Sequence, residues 1–254
     1  MTEFASSLTT LDSRLQGIAR AMGLQRAYFD MREFARARLI DRVDLTENRN
    51  HRAIFVHVPK CAGTAITTQL PIAHGHRSAE FLRWKDPALF DACFTFGFVR
   101  NPYDRFVSAF HYLRSDKTSR RDAAWGLQFL GRYKGFGDFA EAMLEPARRR
   151  PVLGWLHFLP QTYFLCDRKN RVIVDFVGRQ ERFAEDLEEV NRRAGFSLVN
   201  QRVRAVKRDD YRTFYTPDTA RLIEEIYADD FEVFGFLRET GFANAPERGA
   251  TEQS

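Results

Sequence analysis

Apolar positions along the chain keep two different rhythms. From Ser13 to about Val43 they recur every three or four residues, at Leu15, Ile18, Met22, Phe29, Phe34, Leu39 and Ile40, among many Arg, Asp and Glu. That spacing predicts amphipathic helix, and the acids at 30, 33, 41 and 44 point to a packed or partner-facing helix rather than a basic one lying on a membrane. The pattern then changes. Ala53 to Val58 is a short β-rich run ending at Pro59, and Thr64 to Leu70 beyond Gly63 has helical character. Phe94 to Val99 is a second β-rich run, followed by Arg100-Asn101-Pro102 and by a helical stretch from Asp104 to Leu113 with Phe106, Val107, Phe110 and Leu113 on one side. A proline disfavours helix in the residue before it, which suits Pro102 to the turn.

Further along, Asp138-Phe-Ala-Glu141 has the form of a capping box for a helix running towards Arg150. Thr162 to Cys166 and Val172 to Val177 look like strands on either side of the turn Asp167 to Asn170, a hairpin or two edge strands. Glu181 to Ala194 is helical with Gly195 as left-handed cap. Thr216-Pro217 supplies an N-cap and a first-turn proline for a helix reaching Phe231 or Phe234 and stopping at Gly235. The segment from Gly241 to Ser254 has nothing to bury and is expected to be disordered. Two strand-loop-helix units with helices after them imply an α/β sandwich on a parallel sheet. Ligands of such sheets bind at the carboxyl ends of the strands. The loops after Val58 and Val99 are therefore the places to look.

Composition narrows the classes. With 254 residues, 44% hydrophobic, 29% charged and 24 Phe, the chain has the make-up of a folded domain and not of a disordered, collagen-like or disulfide-stapled one. No apolar run approaches the roughly 20 residues that span a bilayer, and the N-terminus has no leader pattern, so a cytoplasmic location is expected. Cys61, Cys93 and Cys166 form no C-x-x-C pair and are expected to be reduced thiols. A net charge of +5 is too mild to demand nucleic acid. Lysine is scarce: six of the 39 basic residues, the rest arginine.

Pro59-Lys60-Cys61-Ala62-Gly63-Thr64 lies between strand and helix, where backbone N–H groups and a helix N-terminus surround any bound anion. It is not a Walker A loop, since no Gly-Lys-Ser/Thr occurs in the chain. Nor does it suit a cysteine phosphatase built on Cys61, because residues 62 to 70 contain no arginine. Gly135-Phe-Gly137-Asp-Phe-Ala140 matches a dinucleotide fingerprint only in letters; it follows no strand and is expected to be a loop. At the second strand end, Arg100 and Ser108 have the spacing to converge on one phosphate, the first through its fork and the second through its hydroxyl.

Together these segments resemble the carbohydrate-type sulfotransferases, whose signatures are P-K-x-A-G-T and R-[ND]-P-x-[DE]-R-x-[VL]-S-x-[FY]. The likeness runs from Phe55 to Phe236 and includes Phe55 to Thr64, Phe98 to Phe110, Pro160-Gln161, Val174 to Arg179, Phe183 to Leu187 and Tyr211 to Thr216. It implies a P-loop NTPase-like fold with a central parallel sheet flanked by helices, and transfer of a sulfuryl group from 3′-phosphoadenosine 5′-phosphosulfate (PAPS) to a hydroxyl, without a metal. By the same resemblance Lys60, Cys61, Ala62, Gly63, Thr64 and Ala65 hold the 5′-phosphosulfate, and Lys60 neutralises charge on the bridging oxygen. Arg100 and Ser108 hold the 3′-phosphate, and Arg179 supports the donor site. The chain departs from the pattern at Ala65, where Ser or Thr is common. His74-Gly75-His76 is similar to an H-G-H segment of the uronyl 2-O-sulfotransferases, which implies His76 as the base with His74 assisting; imidazole suits the task because its ordinary pKa is near 6.5. His57 is expected to pack or to orient the loop, and His111 and His157 have no assigned role.

The expected organisation is a helical extension over 1–50, a sulfotransferase domain over 51–240 and a tail over 241–254. A sugar or glycoconjugate acceptor is expected, with Arg77, Arg83, Arg148 to Arg150 and residues 202–208 as cationic lining for an acidic one. A nucleotide-dependent phosphotransferase and a non-catalytic nucleotide- or partner-binding protein are the alternatives.

Overall fold

The computed structural model describes residues 31, 35, 43–73, 75–116, 118–200, 210–239 and 242. The helix expected over Ser13 to Val43, the cationic stretch at 202–208 and the tail lie largely or wholly outside them, as does His74.

The sheet is made of three short strands, β1 (Ala53–Val56), β2 (Phe94–Val99) and β3 (Phe176–Arg179), parallel and in the order β1-β2-β3. Ala53 pairs with Phe94 and Val56 with Gly97 on one side of β2; Phe96 pairs with Phe176 and Val99 with Arg179 on the other. All of β1 is buried and β2 almost entirely so, which is why both read as continuous apolar runs rather than alternating ones. Helices cover the sheet, the α/β arrangement with a central parallel sheet that the sequence leads one to expect.

Three polar ties fix the sheet to its surroundings. A short helix α1 (Thr46–His51) carries the fully buried Asn48, whose amide donates to the carbonyls of Ala53 and Ile72, each at 2.9 Å. The Phe55 N–H also reaches Ile72 O, so the chain around 72 runs along the outer edge of β1. The Asp175 carboxylate accepts from the N–H and hydroxyl of Thr95, holding the entry to β3 against β2.

After β1 comes α2 (Thr64–Thr67), and α3 (Ala79–Lys85) and α4 (Pro87–Ala92) lead into β2. From the end of β2, α5 (Pro102–Leu113) is capped by Asn101, whose side chain accepts from Tyr103 N–H, with Pro102 in its first turn. It buries Phe106, Val107 and Phe110 as its pattern requires. The following helices are α6 (Arg120–Leu130), α7 (Phe136–Ala142) and α8 (Pro146–Leu153), then α9 (Gln161–Leu165), α10 (Phe183–Ala194), α11 (Pro217–Ile226) and α12 (Ala228–Phe234).

Several expectations need correction. The run from Thr162, expected as a strand to Cys166, is helical through Leu165 as part of α9, and only Cys166 is extended, in an isolated antiparallel bridge to Val172. The run expected from Val172 is extended in the sheet only from Phe176, as a parallel strand. No capping box forms at Asp138. The helix begins at Phe136, so the Gly135 to Ala140 segment is helical and not a loop, and the Asp138 carboxylate instead accepts from Lys134 N–H. The stretch towards Arg150 breaks between α7 and α8, and the last long helix breaks at Tyr227. The caps at Thr216, Gly195 and Gly235 stand as expected, the two glycines at φ 69° and 62°.

Candidate active site

The loop from Pro59 to Gly63 leaves the carboxyl end of β1 and turns into α2. Lys60 and Ala62 both adopt left-handed conformations, φ 70° and 62°. For non-glycine residues such a conformation costs about 1–3 kcal/mol and collects at functional sites. The alternation bends the chain so that successive N–H groups converge on a concavity suited to an anion. The N–H groups of Cys61, Ala62, Gly63 and Thr64 make no hydrogen bond among the described residues, whereas Ala65 N–H donates to Ala62 O at 3.0 Å and Ala65 itself is buried. Gly63 has an ordinary negative φ; its need is space. A Cβ there would lie 2.2 Å from Cδ2 of His57. His57, just beyond β1, stacks on Phe55 and fills the floor under the loop.

The loop is braced from behind. Arg105, on α5, is 2% exposed; its Nε donates to Pro59 O at 3.0 Å and its Nη1 to Leu159 O at 2.8 Å. Gln161, fully buried at the start of α9, joins the two strand-end loops: Oε1 accepts from Arg100 N–H at 2.8 Å and from the Cys61 thiol at 3.3 Å, and Nε2 donates to Arg100 O. Asp230 holds that residue in turn, one carboxylate oxygen accepting from Gln161 N–H and the other from Thr162 N–H, each at 2.8 Å. Gly97 permits this approach, since a Cβ there would meet Leu165 at 2.5 Å. Both Arg105 and Gln161 belong to the quoted sequence segments, yet a sequence gives no sign that two polar side chains so far apart are buried against one loop.

Arg100 reaches the same loop. Its Nη1 donates to Lys60 O at 3.2 Å, while Nε and Nη2 both meet Oδ2 of Asp104 at 2.6 Å. Ser108 lies half-buried on α5. Arg179 is engaged elsewhere: its guanidinium donates to the carbonyls of Phe234 and Gly235 at the end of α12 and lies over the Phe236 ring. A cation suits that helix end. Cys61 points inward and burial raises its thiol pKa to about 12, partly opposed by Arg105 and Arg100, so it is no nucleophile at neutral pH.

A group of imidazoles adjoins the loop. The rings of His57 and His76 are 4.3 Å apart, those of His76 and His157 6.0 Å, and Tyr112 lies 5.0 Å from His157. The Lys60 ammonium sits 3.8 Å from the centre of the Tyr112 ring, a cation–π contact. Nδ1 of His76 is 2.8 Å from the His57 carbonyl. A carbonyl can only accept, so Nδ1 carries the hydrogen and Nε2 keeps its lone pair. Burial lowers the pKa of His76 to about 4, although the His57 carbonyl and Asp122 pull it upward. His57 falls to about 3, through burial first and then the charges of His76, His157 and Lys60. At neutral pH both rings are uncharged. The arrangement thus places an anion cradle, a lysine and a neutral imidazole with an available lone pair together at one strand end.

A family model described as "Sulfotransferase family" matches residues 43–237. No curated protein and no solved structure matches the chain.

Proposed function

Since the chain belongs to the sulfotransferase family, we propose that it moves a sulfuryl group from PAPS to a hydroxyl of a carbohydrate or glycoconjugate. The observation that carries this reading is the loop after β1, where four successive N–H groups that have no partner among the described residues follow the left-handed Lys60. Such a cradle fits a phosphosulfate. The residues that would hold the donor are Lys60 to Thr64, with Arg100 at the neighbouring strand end and Ser108 on α5; Ala65 shapes the loop through its buried methyl and its turn hydrogen bond. When bound, the donor supplies an activated sulfuryl group on an anhydride whose other half is a good leaving phosphate.

The remaining work falls to the protein. Nε2 of His76 takes the proton from the acceptor hydroxyl, a role supported by its tautomer and its neutral state. Lys60 and the loop N–H groups hold negative charge, and preorganised donors of this kind are worth about 3 kcal/mol each in a transition state. Arg105 and Gln161 keep the loop from relaxing. Arg100 can turn its fork to a phosphate by releasing Asp104.

The test has two arms. Adenosine 3′,5′-bisphosphate is expected to raise the melting temperature by more than ATP does, and labelled sulfate is expected to pass from PAPS to one member of a glycan panel. With that acceptor, Lys60→Ala and His76→Ala are each expected to lower kcat by about a hundredfold or more. No stabilisation by the bisphosphate removes the donor assignment, and an undiminished rate in His76→Ala moves the base elsewhere.

A further inference from the structure

Behind the imidazole group lies a carboxylate for which the reaction as described has no use. His157, on the short 3-10 turn Leu156–Phe158, is 4% exposed, and neither of its ring nitrogens makes a hydrogen bond among the described residues. Its Nε2 lies 3.2 Å from Oδ2 of Asp122 on α6, whose side chain is itself 14% exposed. The Ser119 hydroxyl donates to the same Oδ2 at 2.9 Å and fixes the carboxylate at the start of the helix. An imidazole this buried, with neither nitrogen in a completed hydrogen bond, is costly unless a charge arises nearby to be stabilised.

We propose that Asp122 and His157 are a positioning pair for the base: the carboxylate, set behind His157, provides the negative charge against which His76 becomes an imidazolium. The inference rests on the reading of His76 as base. Among the described residues, the other groups acting on the imidazoles are cationic or neutral: Lys60 and His57 from the loop after β1, and Arg105 and Tyr112 from α5. Left to these, a proton on His76 would be opposed by burial, by His157 and by Arg105. Asp122 acts the other way, raising the proton affinity of His76, from a place 3.2 Å from His157, whose ring centre is 6.0 Å from that of His76. Burial pushes Asp122 itself upward, but His157, Ser119 and Trp155 outweigh that and hold it below the ordinary aspartate value, so it stays ionised. One proton leaves the acceptor hydroxyl and rests on Nε2 of His76; none passes to Asp122. His157 receives no proton either. Burial keeps its pKa low despite the carboxylate, and its part is to hold the carboxylate's field in line with His76.

The direct measurement is the pKa of His76, read from the imidazole carbon resonances of the full chain, with and without adenosine 3′,5′-bisphosphate. The isosteric change Asp122→Asn is expected to lower it by about one unit, a tenfold weaker proton affinity. With an acceptor in hand, the acid limb of kcat shifts to lower pH and its plateau falls, while the KM for PAPS is unchanged; Asp122→Glu, which keeps the charge, restores much of the rate. Should the amide fail to fold, the reciprocal experiment serves, because coupling acts equally on both partners. His76→Asn is then expected to raise the pKa of the Asp122 carboxyl. An unchanged His76 pKa in folded Asp122→Asn, or an unchanged Asp122 pKa in His76→Asn, overturns the pair. A bisphosphate that neither stabilises the protein nor moves any histidine resonance defeats the donor assignment instead.

Discussion

At the scale of single residues, the site depends on side chains whose chemistry differs from what their letters suggest. Cys61 sits in the anion loop but is a buried, protonated thiol hydrogen-bonded to Gln161, a packing residue. Lys60, one of only six lysines, contributes backbone shape through its left-handed φ as well as charge. Gly63 serves neither role and is there to let His57 in. The change Gly63→Ala therefore has a direct consequence. The added methyl must displace the His57 ring, and overpacking of this kind costs about 1–3 kcal/mol. The expected outcome is a melting temperature lower by several degrees and weakened binding of adenosine 3′,5′-bisphosphate, since His76 is anchored to the carbonyl of the displaced residue. Unaltered binding by calorimetry would show that His57 does not support the loop.

At the scale of elements, the lesson comes from α9. Thr162 to Cys166 is a short apolar run that reads equally well as strand or helix, because periodicity cannot tell them apart over so few residues. What decides it is Asp230, distant in sequence, which accepts the first two N–H groups of the helix. The sequence has no local cap at that position. Replacement by asparagine keeps the shape but sets an amide NH2 against one of those N–H groups, and an unpaired buried donor costs about 1–3 kcal/mol. Asp230→Asn is expected to lower the urea midpoint and also to loosen Gln161, so that weaker bisphosphate binding accompanies the loss of stability. A lower midpoint with intact binding would separate α9 from the site. The opposite case is α11, where Thr216 and Pro217 supply cap and first turn from adjacent residues, and the sequence suffices.

At the scale of the whole molecule, the buried imidazoles set the response to acid. His57 and His76 have folded pKa values of about 3 and about 4 against 6.5 for an ordinary histidine. Between those values the unfolded chain binds more protons than the folded one, so stability rises with pH there. It is complete above 6.5 and is lost as pH falls towards 4, with a slope of about 1.4 kcal/mol per pH unit for each histidine. Urea midpoints taken at pH 7.5 and pH 5 are expected to show this loss, and His76→Asn is expected to reduce it. Equal losses in both proteins would mean that carboxylates and not the imidazoles govern the acid side.

Whatever neighbouring residues control could be read along the chain. The sequence marked the two strand-loop-helix units, because both strands are buried on both faces and so read as apolar runs; the left-handed caps at Gly195 and Gly235, because glycine reaches that conformation at least cost; and the anion loop, through its spacing. Which side chains meet follows from the packing of distant elements. Asn48 and Ile72 draw the segment leading to His76 back along β1, and so set its ring beside that of His57. Arg105, Gln161 and Asp230 lock the loop from three separate elements, and Asp122 comes up behind His157 from a fourth. The reason is physical: a cap or a strand is a contract among neighbours in sequence, whereas burial of a charged or amide group is specified by whatever the fold brings opposite it.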